Sequence, residues 1–123
     1  EEYWVKANKV ESLSHTFLVQ NIKNEIIKFT KNVAINLTEA PDIIFRNAKG
    51  KSVALEIETG EGFKKHKQRI ETKFNNAIKK YGKNLYIVLT SKDFRTRYQS
   101  RFPEIKILIR TQMREFLASQ FKK

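Results

Sequence analysis

The chain contains no cysteine. Disulfide scaffolds, cysteine-ligated zinc and thiol catalysis are therefore excluded, and a reducing cytoplasm is the expected compartment. Proline and glycine are scarce, at two and four residues of 123. That scarcity excludes collagen-like, mucin-like and flexible-linker classes. No apolar run approaches the roughly 18–20 residues that cross a bilayer, so no membrane segment is expected. No charged-then-apolar leader is read at the start, and the first residue is Glu1 rather than methionine, which fits a domain taken from a longer protein. Negative charge is also in short supply. Asp and Glu total 13 against 25 Lys and Arg, a formal net charge of +12.

What is present suits one folded domain spanning residues 1–123. Hydrophobic residues make up 40% of the chain, enough for one core. The positive field attracts polyanions, nucleic acid before anionic membrane. The plainer reading of the same charge is a lysine-rich, solvated surface.

Periodicity sets the expected elements. From Val10 to Thr30 the apolar positions Leu13, Phe17, Leu18, Ile22, Ile26 and Phe29 recur at helical spacing. Val33, Ile35 and Leu37 then alternate with polar or small residues, which predicts a strand. A second strand is expected at Asp42-Ile43-Ile44-Phe45, a turn at Asn47–Gly50 and a third strand through Val53, Leu55 and Ile57. Phe63 to Tyr81 reads as a helix stopped by Gly82. Leu85–Leu89 is a continuous apolar run, as in a strand covered on both faces. Ser91 is placed to cap a short helix carrying Phe94, Tyr98 and Phe102; Ile105, Ile107 and Ile109 form a fifth strand; Thr111 is placed to cap a last helix. Short turns make the first three strands an antiparallel meander, and helical crossovers make the later ones parallel. The expected fold class is α/β, a three-layer α/β/α domain around a central mixed sheet.

Side chains two apart on a strand share a face. Glu56 and Glu58 therefore lie together, opposite Val53, Leu55 and Ile57. Pairing through the Asn47–Gly50 turn brings Asp42 close to both. Three carboxylates in so basic a chain need a reason to converge, because repulsion raises the pKa of one of them unless a cation neutralises it. Oxygen ligands of this kind suit Mg²⁺ or Mn²⁺. An ordinary exposed strand face is the competing reading.

Pro41-Asp42, a hairpin-length gap and Glu56-Ile57-Glu58 together resemble the PD-(D/E)XK, or restriction-endonuclease-like, nuclease superfamily. The α-β-β-β-α-β order from Val10 to Leu89 is similar to its common core. The run Glu56-Ile57-Glu58-Thr59-Gly60 also resembles nuclease-like domains of archaeal and bacterial mobile elements. The resemblance implies metal-assisted hydrolysis of a phosphodiester, with Asp42 and Glu56 as metal-binding acids and Mg²⁺ or Mn²⁺ as cofactor. Glu58 stands where the family usually has lysine. In members that move this lysine to the following helix, its counterparts here are Lys67 and Lys73, of which Lys73 lies nearer the sheet-facing edge. For each, a solvated or phosphate-contacting role is the alternative. Glu58 or such a lysine would orient the attacking water. The family's first helix often adds an acid, matched by Glu25, which either reaches the metal or pairs at the rim with Lys28. His15 is read as a packed or surface histidine rather than a catalytic one.

Phosphate contacts are expected from Lys64, Lys65, Arg69, Lys92, Arg95, Arg97 and Arg101. The implied partner is DNA, with no membrane; a homodimer and further domains of a longer chain also fit. The leading expectation is thus a Mg²⁺-dependent nuclease domain. The alternatives are a catalytically inactive nuclease-like module that binds nucleic acid or a protein, and an unrelated basic α/β domain. No phosphate-cradling G-x-x-x-x-G-K-[ST] loop, nucleophile elbow or zinc-ligand spacing is present.

Overall fold

Each switch of hydrophobic period along the chain marks a change of element. The computed structural model describes residues 13–36, 41–59 and 67–122, and of residues 13–14 and 67–70 the backbone. Helix α1 is Leu13–Ile27. Strands β1 (Val33–Ile35), β2 (Ile43–Arg46) and β3 (Ser52–Glu58) follow. Then come α2 (Lys67–Tyr81), β4 (Leu85–Leu89), α3 (Arg95–Arg101), β5 (Lys106–Ile109) and α4 (Met113–Gln120). Residues 10–12, 37–40 and 60–66 lie outside the described residues, and with them the expected starts of the first two long helices and the end of the first strand.

The sheet has five strands in the order β1-β2-β3-β4-β5. Strands β1, β2 and β3 are antiparallel; β3, β4 and β5 are parallel. The meander closes as its turn chemistry dictates. Asn47 Oδ1 accepts from the Lys49 and Lys51 amides at 2.9 and 3.0 Å, and Gly50 takes φ +79°, a left-handed conformation that favours glycine. Gly82, at φ +53°, ends α2 in the same way.

Alternation on the strands makes two separate cores. On one face, Val19, Ile22 and Ile26 of α1 and Met113, Phe116 and Leu117 of α4 pack on Ile43, Phe45, Val53, Leu55, Ile57 and Val88. On the other, Phe74 and Ala77 of α2 and Tyr98 of α3 pack with Phe102 and Ile105 on Ala54, Leu85, Ile87, Leu89 and Ile107. The result is the α/β class with a mixed sheet between two helical layers.

Two expectations are corrected. The buried stripe of α1 is His15, Val19, Ile22 and Ile26, at steps of four, three and four, whereas Phe17 is 71% exposed and Phe29 42% exposed. The expected phase is off because Phe17 and Leu18 both look like core residues, while the position that continues the true stripe is a histidine. Thr111 does not cap the last helix. Residues 110–112 form a 3₁₀ turn, and Gln112 Oε1 accepts from the Ile109 amide at 2.8 Å. Ser91 does cap its turn, accepting from the Asp93 amide at 3.1 Å.

Candidate functional site

The candidate site lies at the C-terminal end of β3, where the antiparallel and parallel halves of the sheet meet. Asp42 precedes β2, and the register Ile43↔Leu55 sets it beside the end of β3. Asn36 holds this entry: its backbone amide donates to the Asp42 carbonyl at 2.8 Å and its side-chain amide to the Pro41 carbonyl at 2.9 Å. The Ile57 amide donates to Asp42 Oδ2 at 2.8 Å. His15 Nε2 lies 3.0 Å from the Ile57 carbonyl and 3.3 Å from the same Asp42 oxygen. A carbonyl only accepts, so Nε2 carries the proton and is shared between the two oxygens. One Asp42 oxygen is thereby tied to β3 and to α1.

Glu56 and Glu58 face the α2–α3 layer, yet neither is an exposed strand residue. Glu56 is 0% exposed and Glu58 6%, with Asp42 at 4%. The two glutamates have different surroundings. Tyr98 donates its hydroxyl to Glu58 Oε1 at 2.9 Å, and Lys73 donates to Glu58 Oε2 at 3.0 Å. Lys73 Nζ also lies 3.7 Å from Glu56 Oε1. Neither oxygen of Glu56 has a hydrogen-bond partner, and both are buried.

The electrostatics follow from this geometry. Burial drives the Glu56 carboxyl well above the usual carboxylate range; Lys73 opposes the rise, and the charges on Asp42 and Glu58 add to it. For Lys73, burial alone would lower the pKa, but Glu56, Glu58 and Asp42 outweigh it and hold the ammonium above its ordinary value. Burial, with the adjacent Glu58 as charge and as acceptor, raises the Tyr98 phenol. At neutral pH Lys73 is a fixed cation and Tyr98 a fixed donor.

The structure thus brings Asp42, Glu56, Glu58 and Lys73 together. Glu25 is a correction. It pairs with Arg110 and sits ten residues after His15, on the order of 15 Å along the helix, so it does not share a cation with Asp42. The side chains of Lys67 and Arg69, and all of Lys64 and Lys65, lie outside the described residues. Lys92, Arg95, Arg97 and Arg101 are exposed around α3, and Arg101 Nε lies 3.4 Å from Glu71 Oε2.

Sequence reasoning missed three supporting residues. His15 carries a signal, since it falls on the α1 stripe. Tyr98 reads as an ordinary core aromatic, and its partner is 40 residues away. Asn36 carries no signal beyond its place directly after β1.

Among the described residues no group of three or more His, Asp and Glu is arranged to hold a metal ion. Of the acids here, Asp42 and Glu56 would be the ones to hold a cation, since Glu58 is engaged by Tyr98 and Lys73. This fits Mg²⁺, which commonly takes one or two carboxylates and fills its remaining positions with water and substrate phosphate. No helix among the described residues is long and apolar enough to cross a membrane. Compared with known proteins, the chain matches no family model, no curated protein and no solved structure.

Proposed function

We propose that this chain is a metal-dependent nuclease domain acting on DNA, in which α1-β1-β2-β3-α2-β4 forms a restriction-endonuclease-like core. The observation that carries the reading is Glu56: a fully buried carboxyl without a hydrogen bond, set beside a second acid. A buried acid whose oxygens make no hydrogen bond costs stability even with Lys73 nearby, and a divalent cation shared with Asp42 would remove that cost. Such an ion supplies Lewis acidity at the phosphoryl oxygen, a more acidic bound water and charge compensation at the leaving oxygen.

The chain's own residues do the rest. Asp42, anchored by the Ile57 amide and His15, and Glu56 would hold the ion. Lys73 takes the role of the lysine that the family usually carries at the position of Glu58. It is held protonated, so it acts as a fixed positive charge that orients water or a phosphate oxygen, not as a proton acceptor. Glu58 engages Tyr98 and Lys73 with its two oxygens and acts chiefly as their bracket. The exposed cations of α3 would bind the phosphate backbone. The binding-module reading drew its support from the lysine missing at position 58; Lys73 at the acids weakens that support.

The test is cleavage of single-stranded, duplex and branched DNA in Mn²⁺. The parent cleaves at least one form. Glu56→Gln loses more than about 100-fold in rate and binds DNA as well or better, because a repulsive charge is gone. Absence of metal-dependent cleavage of all three forms by the parent overturns the reading.

A further inference from the structure

We infer that the pole of the sheet opposite the acids is a second surface for the phosphate backbone of nucleic acid. The topology gathers distant parts of the chain there. The 47–50 turn opens β3, the 82–84 turn opens β4, and the registers Ala54↔Leu85 and Tyr86↔Lys106 put the starts of β3, β4 and β5 side by side. Glu56 lies four residues along β3 from its start at Ser52 and Glu58 six, on the order of 13 to 20 Å from this pole.

The charge at the pole is mostly of one sign, with Glu104 before β5 as its nearest acid. Lys49 and Lys51 flank the hairpin turn, Lys79, Lys80 and Lys83 surround the end of α2, and Lys106 starts β5; all are exposed. None of them pairs with a carboxylate among the described residues. Segments 46–51 and 79–85 contain no acid, and Glu104 is the acid nearest in the chain to Lys106. Lys80 Nζ lies 5.6 Å from the Tyr81 ring centre and Lys106 Nζ 5.9 Å from that of Tyr86. These rings hold the ammonium groups in place while leaving them open to solvent. A helix dipole accounts for cations in the last turn of α2 but not for those on the hairpin and β5. Like charges gathered from three segments repel one another, and a polyanion relieves that repulsion. An anionic bilayer is the weaker fit, because binding there also needs apolar side chains to insert. The large exposed hydrophobics, Phe17, Ile27 and Phe29, belong to none of these segments.

The inference does not depend on catalysis, and its test is run without metal. Binding of a fluorescent 20-base-pair duplex to the whole chain is followed by anisotropy in EDTA across a KCl series. The variant Lys79→Gln/Lys80→Gln/Lys83→Gln lowers the slope of log affinity against log salt by about two to three units. Lys49→Gln/Lys51→Gln, on a separate turn, lowers it by about one to two. Thermal melts of both match the parent, since the side chains are exposed. Unchanged slope and affinity in both variants overturn the inference. So does loss of binding to phosphatidylserine vesicles with DNA affinity unchanged, which would assign the pole to a bilayer. The nuclease reading fails separately, in the Mn²⁺ cleavage assay of the parent.

Discussion

The two faces of β3 belong to one strand of seven residues, and both are buried. Val53, Leu55 and Ile57 enter the core beneath α1 and α4 without any polar group. On the reverse, Ala54 joins an apolar core beneath α2 and α3, but the next two residues on that face are Glu56 and Glu58. The first face is explained by packing alone. The second is not, because burying carboxylates opposes folding unless each is paired. Glu58 meets that condition through Tyr98 and Lys73. Glu56 has the charge of Lys73 at 3.7 Å but no hydrogen bond to either oxygen. The difference separates a face explained by packing from one that buries a carboxyl without a hydrogen bond.

Truncating the apolar face or removing a partner of Glu58 should therefore destabilise, whereas replacing Glu56 itself should not. On the apolar face, Leu55→Ala destabilises by about 3 kcal/mol, since Leu55 is fully buried and its loss leaves a cavity. Urea denaturation measures this, and a change below about 1 kcal/mol would mean that the core beneath α1 is looser than described. On the acid face, Tyr98→Phe removes one hydroxyl while keeping the ring edge-on to Phe74 at 6.5 Å. It costs about 2 kcal/mol by withdrawing a hydrogen bond from a charged acceptor.

The smallest stability effect is the most discriminating. In the metal-free protein Glu56→Gln stabilises by about 1 kcal/mol, because it removes a buried acid that makes no hydrogen bond. The pH dependence has the same origin. Glu56 has its pKa raised on folding above the ordinary 4.5, so the folded state binds the proton more tightly than the unfolded state. Metal-free stability therefore declines as pH rises from about 4.5 toward the folded value, and Glu56→Gln flattens that decline. Melts from pH 4 to pH 7 in EDTA test the sign; a parent that gains stability over this range through Glu56 would refute it.

Much of this contrast is legible in the residues of β3. A period of two separates Val53, Leu55 and Ile57 from Glu56 and Glu58, and the turn residues Asn47 and Gly50 set the register that brings Asp42 to their side. Lys73 is also legible, as a lysine on the sheet-facing edge of a helix. What the alternation does not contain is the second layer: nothing local says that α2 and α3 cover the acids instead of leaving them in water. That depends on Phe74, Tyr98 and Phe102, whose partners lie far along the chain. The phase of α1 misleads for a related reason. A histidine occupies a core position because it serves Asp42, and a phenylalanine takes an exposed one. Glu25 does lie beside the α1 stripe, and its partner there is Arg110.

The measurement that bears most directly on the contrast is calorimetric titration of Mn²⁺ into the parent, Glu56→Gln and Asp42→Ala. If the acid without a hydrogen bond is kept for a cation, the parent binds Mn²⁺ at a site containing both carboxylates, and each substitution weakens binding by at least about tenfold. Binding of equal strength in all three proteins would remove Asp42 and Glu56 from any metal site and leave the buried Glu56 without the role assigned to it.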